Sequence, residues 1–216
     1  MENKKWSEGA WEAAKSAYEA ILKLPFLAEL ADGSLSSERI NEYITQDNLY
    51  LDDYSRVLAH IASRLDDLED VDAFVHFASE GVAMEKGMHA LYPSDPEAMK
   101  SPVCRLYSSF LKSQAYESVA VETASVLPCF WVYQQVGNHI LRTAILDGNP
   151  YAPWIEAYSN EAFDLSTSRA IAICDKLASS SSEEIRQKMT EVFVRATEME
   201  WMFWDSAYRM AQWPKF

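Results

Sequence analysis

Residues 36–65 read SSERINEYITQDNLYLDDYSRVLAHIASRL, the longest uninterrupted amphipathic pattern in the first half of the chain. The stretch contains no glycine or proline, and its apolar residues recur at helical spacing. Ser36 or Ser37 is a suitable N-cap, because a serine side chain can accept a hydrogen bond from a free backbone N–H of the first turn. The pattern predicts one helix of about 25 residues at the centre of an α-helical fold.

The rest of the chain divides into further helical stretches, without a linker or an internal repeat. The acidic stretch 66–70 separates two of them, and Pro25 ends the first by restricting the residue before it. Pro128 lies inside a predicted helix, where a bend is expected. The pattern predicts an all-α bundle of about seven or eight helices, forming a single domain over residues 1–216. The predicted helical segments are 4–23, 36–65, 71–92, 102–118, 119–144, 154–178 and 183–212.

The composition excludes several classes of function. Only 6 of the 216 residues are glycine, whereas a nucleotide-binding α/β fold needs a glycine-rich phosphate loop and an all-β sandwich needs many tight turns. Asp and Glu total 33 against 19 Lys and Arg, which gives a net charge of −14. Phosphate backbones repel such a surface, so we expect no nucleic-acid partner.

The sequence has no feature of a membrane or secreted protein. It contains no apolar run of about 18 residues or more, and its start, MENKKWSEGAWEAAK, lacks the apolar segment of a signal peptide. The three cysteines, Cys104, Cys129 and Cys174, form no CxxC pair, so neither a disulfide framework nor a thiolate zinc site is supported. We predict a cytoplasmic location and no membrane partner.

Asp47 and Tyr50 lie three residues apart, on one face of the helix predicted over 36–65. From the spacing alone, a solvent-exposed face with aromatic edges is the simpler interpretation. Asp47 nevertheless lies mid-helix between Ile44 and Leu49, and a buried carboxylate needs a partner or a ligand. The pair is therefore a candidate binding site.

Cys129 and Glu200 are candidate catalytic residues, each with an ordinary alternative. Cys129 directly follows Pro128, whose bend could expose the thiol to a cavity, although a lone cysteine is usually an inert core residue. Glu200 precedes Trp204 and Tyr208 at helical spacing. A carboxyl group desolvated among aromatic rings tends to keep its proton, which suits acid–base chemistry near neutral pH. The alternative is a partly exposed glutamate on the flank of a helix.

Metal and haem sites find little support in the sequence. The four histidines, His60, His76, His89 and His139, are scattered, although Glu85 and His89 are spaced i, i+4 on one helix face. A di-iron bundle repeats carboxylates and histidines from several helices, usually as ExxH, and no ExxH occurs. The serine-nucleophile motif GxSxG is also absent. We predict no metal and no cofactor.

Four segments together resemble one family, the TenA or thiaminase II family. They are LPFLAELADGSLSSERINEYITQDNLYL (24–51), SVLPCFWVYQQVG (125–137), YAPWIEAYSNEAF (151–163) and ATEMEWMFWDSAYRMAQW (196–213). They span nearly the whole chain in the family's order. The combination of QDxxYL, LPCxWxY and a terminal ExxFWxxAY is specific to this family, and the cysteine places the chain in its cysteine-containing branch.

The resemblance implies a haem-oxygenase-like fold without haem and an enzyme of thiamin salvage. Such enzymes cleave the bond between a pyrimidine methylene carbon and its amine or thiazolium substituent. Their substrates are thiamin and 4-amino-5-aminomethyl-2-methylpyrimidine, and the sequence leaves open which of the two this chain uses. The family also implies a homotetramer. Two alternatives stay open: a non-catalytic pyrimidine-binding or regulatory protein, and a haem-oxygenase-like di-iron oxidase.

The same resemblance assigns roles to particular residues. Cys129 matches the family's nucleophile, Glu200 its acid–base glutamate, and Asp47 the aspartate that binds the aminopyrimidine edge. The remaining pocket residues that it implies are tyrosines: Tyr50, Tyr158 and Tyr107, with Tyr116 as a competing choice for the last.

Overall fold

The computed structural model describes residues 4–91, 95 and 97–215, without the side chains of residues 84–86 and 88–91. The helices are α1 (Trp6–Ile21), α2 (Pro25–Asp32), α3 (Ser37–Ala62), α4 (Leu68–Leu91), α5 (Pro102–Ser113), α6 (Val119–Leu141), α7 (Ala152–Ala157), α8 (Glu161–Ser179) and α9 (Glu183–Tyr208), with a 3-10 turn over Gln114–Tyr116. In these ranges the chain forms no β-strand. The all-α prediction is therefore confirmed, and the described residues form nine α-helices where seven or eight were expected.

The long helix of the first half forms as predicted. Ser36 is its N-cap, because the Ser36 hydroxyl accepts a hydrogen bond from the backbone N–H of Arg39. The helix then continues without interruption to Ala62. α3 packs against α4 along much of its length and also contacts α5, α6 and α9, so its inner face lies at the centre of the bundle.

Two helix boundaries differ from the prediction in the first half of the chain. Pro25 ends no helix; it is the first residue of α2, where its missing N–H is not needed. α4 begins at Leu68, inside the acidic stretch that was expected to separate helices. The Asp67 carboxylate there accepts hydrogen bonds from the backbone N–H groups of Glu69 and Asp70, which caps the helix.

A third difference matters for the site. The segment 154–178 was predicted as one helix, but the structure divides it into α7 and α8. The Asn160 side chain accepts a hydrogen bond from the backbone N–H of Phe163 at 2.9 Å, so a new helix starts after it. Tyr158 therefore lies at a corner between two helices instead of inside one.

The helices that surround the site are held together by packing and by buried polar contacts. α6 runs unbroken through Pro128 and packs along α9, with Trp154 and Trp204 fully buried nearby. The start of α5 is tied to α3, because the Gln46 side chain accepts a hydrogen bond from the Ser101 N–H at 2.8 Å.

Within the part of the chain that the structure describes, no helix is long and apolar enough to cross a membrane.

Candidate active site

Asp47, Cys129 and Tyr158, each from a different sequence motif, meet at one cavity of about 290 Å³ between α3, α4, α6 and the α7–α8 corner. Aromatic side chains form much of its wall. Residues that line it include Asp47, Tyr54, Cys129, Tyr133, Tyr158 and Phe163. Its size lies at the lower end of the range for sites that enclose small organic molecules.

Asp47 lies deep in this cavity. Asp47 is only 4% exposed, so the interpretation that it lies on a solvent-exposed helix face is wrong. Its negative charge acts on the neighbouring groups: after burial, it is the next cause that raises the pKa of Tyr158. A buried carboxylate at a cavity wall suits a ligand that brings hydrogen-bond donors or a positive charge.

Cys129 reaches the same cavity from α6 and keeps part of its surface exposed there, so its side chain is not enclosed in the core. Burial raises the pKa of its thiol well above the usual value, and the charges of Glu200 and Asp47 raise it further. The hydroxyls of Tyr50 and Tyr54 only partly offset this rise. The thiol is therefore neutral near pH 7 and must lose its proton during any attack on a ligand.

Glu200 and Tyr107 lie behind the cavity wall and form a buried pair. The Tyr107 hydroxyl donates a hydrogen bond to Glu200 Oε1 at 2.7 Å. Burial raises the pKa of Glu200 to about 8; the hydrogen bond from Tyr107 opposes this rise, and the charge of Asp47 adds to it. Glu200 does not itself line the cavity, but a carboxyl group with this pKa can both give and take a proton near neutral pH.

The structure distinguishes the members of two pairs of candidate site residues, because they lie in different surroundings. Glu200 faces the interior, whereas Glu198 lies at the surface and pairs with Arg195 at 2.6 Å. Tyr107 contacts Glu200, whereas Tyr116, the competing choice, is 94% exposed. In each pair only one member can contribute to the site.

Tyr50 links the two parts of the site. Its ring stacks on Tyr54 with centroids 5.4 Å apart and lies 4.9 Å from the ring of Tyr107. The Tyr50 hydroxyl is buried and makes no hydrogen bond with any described residue. Burial raises the pKa of Tyr50 well above its usual value, so this hydroxyl keeps its proton.

The position of Tyr158 depends on a close approach between α6 and the α7–α8 corner. A Cβ atom added to Gly137 would lie 2.3 Å from the Tyr158 carbonyl oxygen, so only glycine fits at this contact. The Tyr158 ring packs on Tyr133 and Trp154, with centroids 5.0 and 4.7 Å away. Tyr158 thus forms a rigid aromatic wall of the cavity.

Sequence reasoning assigned no role in the site to several residues of the cavity wall, among them Tyr54, Tyr133 and Glu80. Tyr54 follows Tyr50 by one helical turn, and Tyr133 follows Cys129 by one turn inside the motif LPCFWVY, so their spacing could have revealed them. The third, Glu80, lies on α4 outside every motif. No local signal connects it to the others.

A metal centre finds no support in the described part of the chain. No three His, Cys, Asp or Glu side chains lie together there in a group that could hold an ion. The pair Glu85 and His89, which share a helix face by spacing, lies outside the described side chains.

Comparison with known sequences identifies the family. Residues 11–210 match the sequence profile of the TENA/THI-4/PQQC family. This chain belongs to the TENA/THI-4/PQQC family. The aminopyrimidine aminohydrolase of Bacillus subtilis is 31% identical over 97% of this chain and 92% of its own length. The family predicted from the motifs is confirmed.

Some proteins that are similar to this chain are much larger than it. The thiamine biosynthesis multifunctional protein ThiED of Corynebacterium glutamicum is 32% identical over 94% of this chain, which spans only 27% of that protein's length. The chain thus corresponds to about a quarter of the multifunctional relative.

Solved structures show the same fold. A TenA homologue from P. horikoshii superimposes with a TM-score of 0.85 at 22% identity, over 95% of this chain and 99% of its own. A protein from Shewanella denitrificans described as having a heme oxygenase-like fold gives a TM-score of 0.70 at 14% identity, over 94% of this chain and 92% of its own. The predicted haem-oxygenase-like fold is confirmed.

Proposed function

We propose that this chain is a hydrolase of thiamin salvage that acts on 4-amino-5-aminomethyl-2-methylpyrimidine. It replaces the amine on the methylene carbon with a hydroxyl group and leaves the 4-amino group of the ring in place. The observation that carries this proposal is the combination of Asp47 and Cys129 on one small aromatic cavity, with Glu200 buried behind it at a pKa of about 8. The names of the relatives support the same reaction class, since one is an aminopyrimidine aminohydrolase.

Asp47 would bind the edge of the pyrimidine ring. An aminopyrimidine offers an exocyclic amine and a ring nitrogen that can carry a proton, and a carboxylate accepts hydrogen bonds from both. Tyr158 and Tyr54 supply flat apolar surfaces against which such a ring can stack. A positive charge on the ring would also compensate the buried charge of Asp47.

The chemical problem is that an amine leaves slowly from a carbon attached to an aromatic ring. Addition of the Cys129 sulfur to the ring carbon beside the substituted position breaks the aromatic system, and the thiol proton passes to a ring nitrogen. The ring electrons then expel the amine, which receives a proton from Glu200 and leaves as ammonia.

The second half of the reaction restores the enzyme. Water adds to the exposed methylene carbon and gives a proton back to Glu200. The sulfur then leaves the ring and recovers its proton, so the ring regains aromaticity and carries a hydroxymethyl group. Asp47 stabilises the positive charge that the ring holds between the two steps.

The size of the cavity favours the smaller of the two candidate substrates, because about 290 Å³ suits a single substituted ring. The test measures ammonia release from the aminomethyl pyrimidine and thiazole release from thiamin by the purified chain. We expect both, with a higher kcat/KM for the aminomethyl compound. Binding of the pyrimidine without any release would instead favour a non-catalytic binding protein.

Three further expectations from the sequence stay predictions: a homotetramer, a cytoplasmic location and a single domain over residues 1–216. Light scattering during size-exclusion chromatography tests the first of these. A mass of four chains is the expected result.

A further inference from the structure

A second carboxylate, Glu80, lies in the wall of the cavity and has no part in the reaction proposed above. It reaches the cavity from α4. Its side chain is 44% exposed, whereas Asp47 is almost fully buried. Glu80 therefore lies at the mouth of the cavity, where a ligand enters and a leaving group departs.

The Glu80 carboxylate is held in place by contacts with two helices. The Ser166 hydroxyl of α8 donates a hydrogen bond to Glu80 Oε2 at 3.2 Å, and His76 Nε2 of α4 lies 3.2 Å from Oε1. The next residue, Gly81, leaves little room between α4 and α3, because an added Cβ atom would lie 2.9 Å from the Ser55 hydroxyl oxygen. These contacts direct the carboxylate toward α8 at the rim of the cavity.

The charge of the cavity wall is negative. Among the lining residues that the structure describes, Asp47 and Glu80 are acidic and none is Lys, Arg or His. Walls of low dielectric constant focus such a field and raise the local concentration of ligands of opposite charge. Phosphate groups would be repelled by the same field.

We propose that Glu80 is a specificity-determining residue that selects pyrimidines with a positively charged methylene substituent and rejects those with a phosphate ester. This inference rests on the proposed function. An aminomethyl substituent enters from solution as an ammonium ion, and a thiazolium is cationic in itself, whereas the hydroxymethyl product is neutral. The ammonium ion releases one proton to solvent before the step in which Glu200 protonates the leaving amine. Glu80 thereby favours the substrate over the product at the mouth of the cavity.

The test measures binding in the Cys129→Ser background, where no turnover disturbs the equilibrium. Three ligands are titrated calorimetrically at about pH 8: the aminomethyl pyrimidine, the hydroxymethyl pyrimidine and the phosphate ester of the latter. Glu80→Gln, which keeps the shape of the side chain, should weaken binding of the aminomethyl compound about fivefold, as expected for one partly exposed ion pair. It should leave the neutral ligand within twofold and strengthen binding of the phosphate ester.

Asp72→Asn provides a matched control, because it removes an exposed carboxylate from the same helix away from the cavity. It should leave all three affinities unchanged. Equal affinities of the Glu80→Gln variant and its parent for all three ligands would overturn the role of Glu80 alone. A chain that binds none of the three ligands would overturn the proposed function as well.

Discussion

Two buried glutamates, Glu122 at the start of α6 and Glu200 in α9, have different partners. Glu122 is 1% exposed, and its carboxylate pairs with Arg64 and with His60 Nδ1 at 2.7 Å. Glu200 is 2% exposed, forms no ion pair with a described residue, and accepts one hydrogen bond from Tyr107. A buried carboxylate that cations compensate holds helices together, whereas one without such partners keeps its proton and can transfer it.

The largest expected effect comes from the region of Glu200, when Cys129, the proposed nucleophile, is replaced. We expect Cys129→Ser to lower kcat by about three orders of magnitude or more, because a serine hydroxyl is a much weaker nucleophile in a site without an adjacent base. Binding of the hydroxymethyl pyrimidine should be retained. Ammonia release and calorimetric titration measure the two quantities.

Cys174→Ser is the matched control for this replacement. Cys174 is buried in α8 away from the cavity, and burial raises the pKa of its thiol far above the usual value. The control should keep near-normal activity. Full activity of the Cys129→Ser variant would remove the nucleophile from the mechanism.

Glu200→Gln should give the second largest effect. The amide cannot donate the proton that the leaving amine needs, so kcat should fall about a hundredfold while KM changes little. Steady-state kinetics measures this split. Glu198→Gln, two residues away at the surface, should leave both constants unchanged, and a similar loss in both variants would show that helix α9 was disturbed instead.

Glu122→Gln should affect stability and leave the chemistry intact. Removing one partner of a buried ion pair leaves Arg64 without its charge partner and costs about 3 kcal/mol of unfolding free energy. Urea denaturation measures the loss, and the folded fraction should keep its kcat. A large fall in kcat without a loss of stability would erase the distinction between the two glutamates.

The smallest expected effects come from glycine substitutions, one of them at the cavity wall that Tyr158 forms. Gly137→Ala places a methyl group against the Tyr158 carbonyl oxygen and should cost about 2 kcal/mol of stability, with a raised KM because the tyrosine moves. Gly9→Ala in α1 meets no atom within 4 Å and should stabilise the chain by about 0.5 kcal/mol or more. If both variants behaved alike, the close contact at Gly137 would have no role.

Much of the fold could be predicted from the sequence, because helix starts and apolar periodicity are local signals. The position before a periodic run predicts Ser36 or Ser37 as the cap of α3, and Ser36 is the cap. The break before α8 was missed, although Asn160 is itself a good N-cap, since the apolar pattern continues across it. The local pattern therefore predicts which residues are helical better than where one helix ends.

The candidate site could be predicted only where motifs carried it. The motifs name Asp47, Cys129 and Glu200, but spacing alone favoured an exposed Asp47 and could not show that Glu200 lies beside Tyr107, 93 residues earlier in the chain. Glu80 and Ser166 are 86 residues apart and belong to no motif, so only the packing of α4 and α8 brings them together. Contacts of this kind depend on the tertiary structure.

Glu200 can act as an acid only if its carboxyl group is still protonated near neutral pH. An NMR titration of the chain labelled with ¹³C at the glutamate side-chain carboxyl groups measures this directly. We expect one resonance to titrate with a midpoint of about 8, to be absent from Glu200→Gln and to remain in Glu198→Gln. If every glutamate carboxyl group titrated below about pH 6, Glu200 would be ionised at neutral pH and could not protonate the leaving amine.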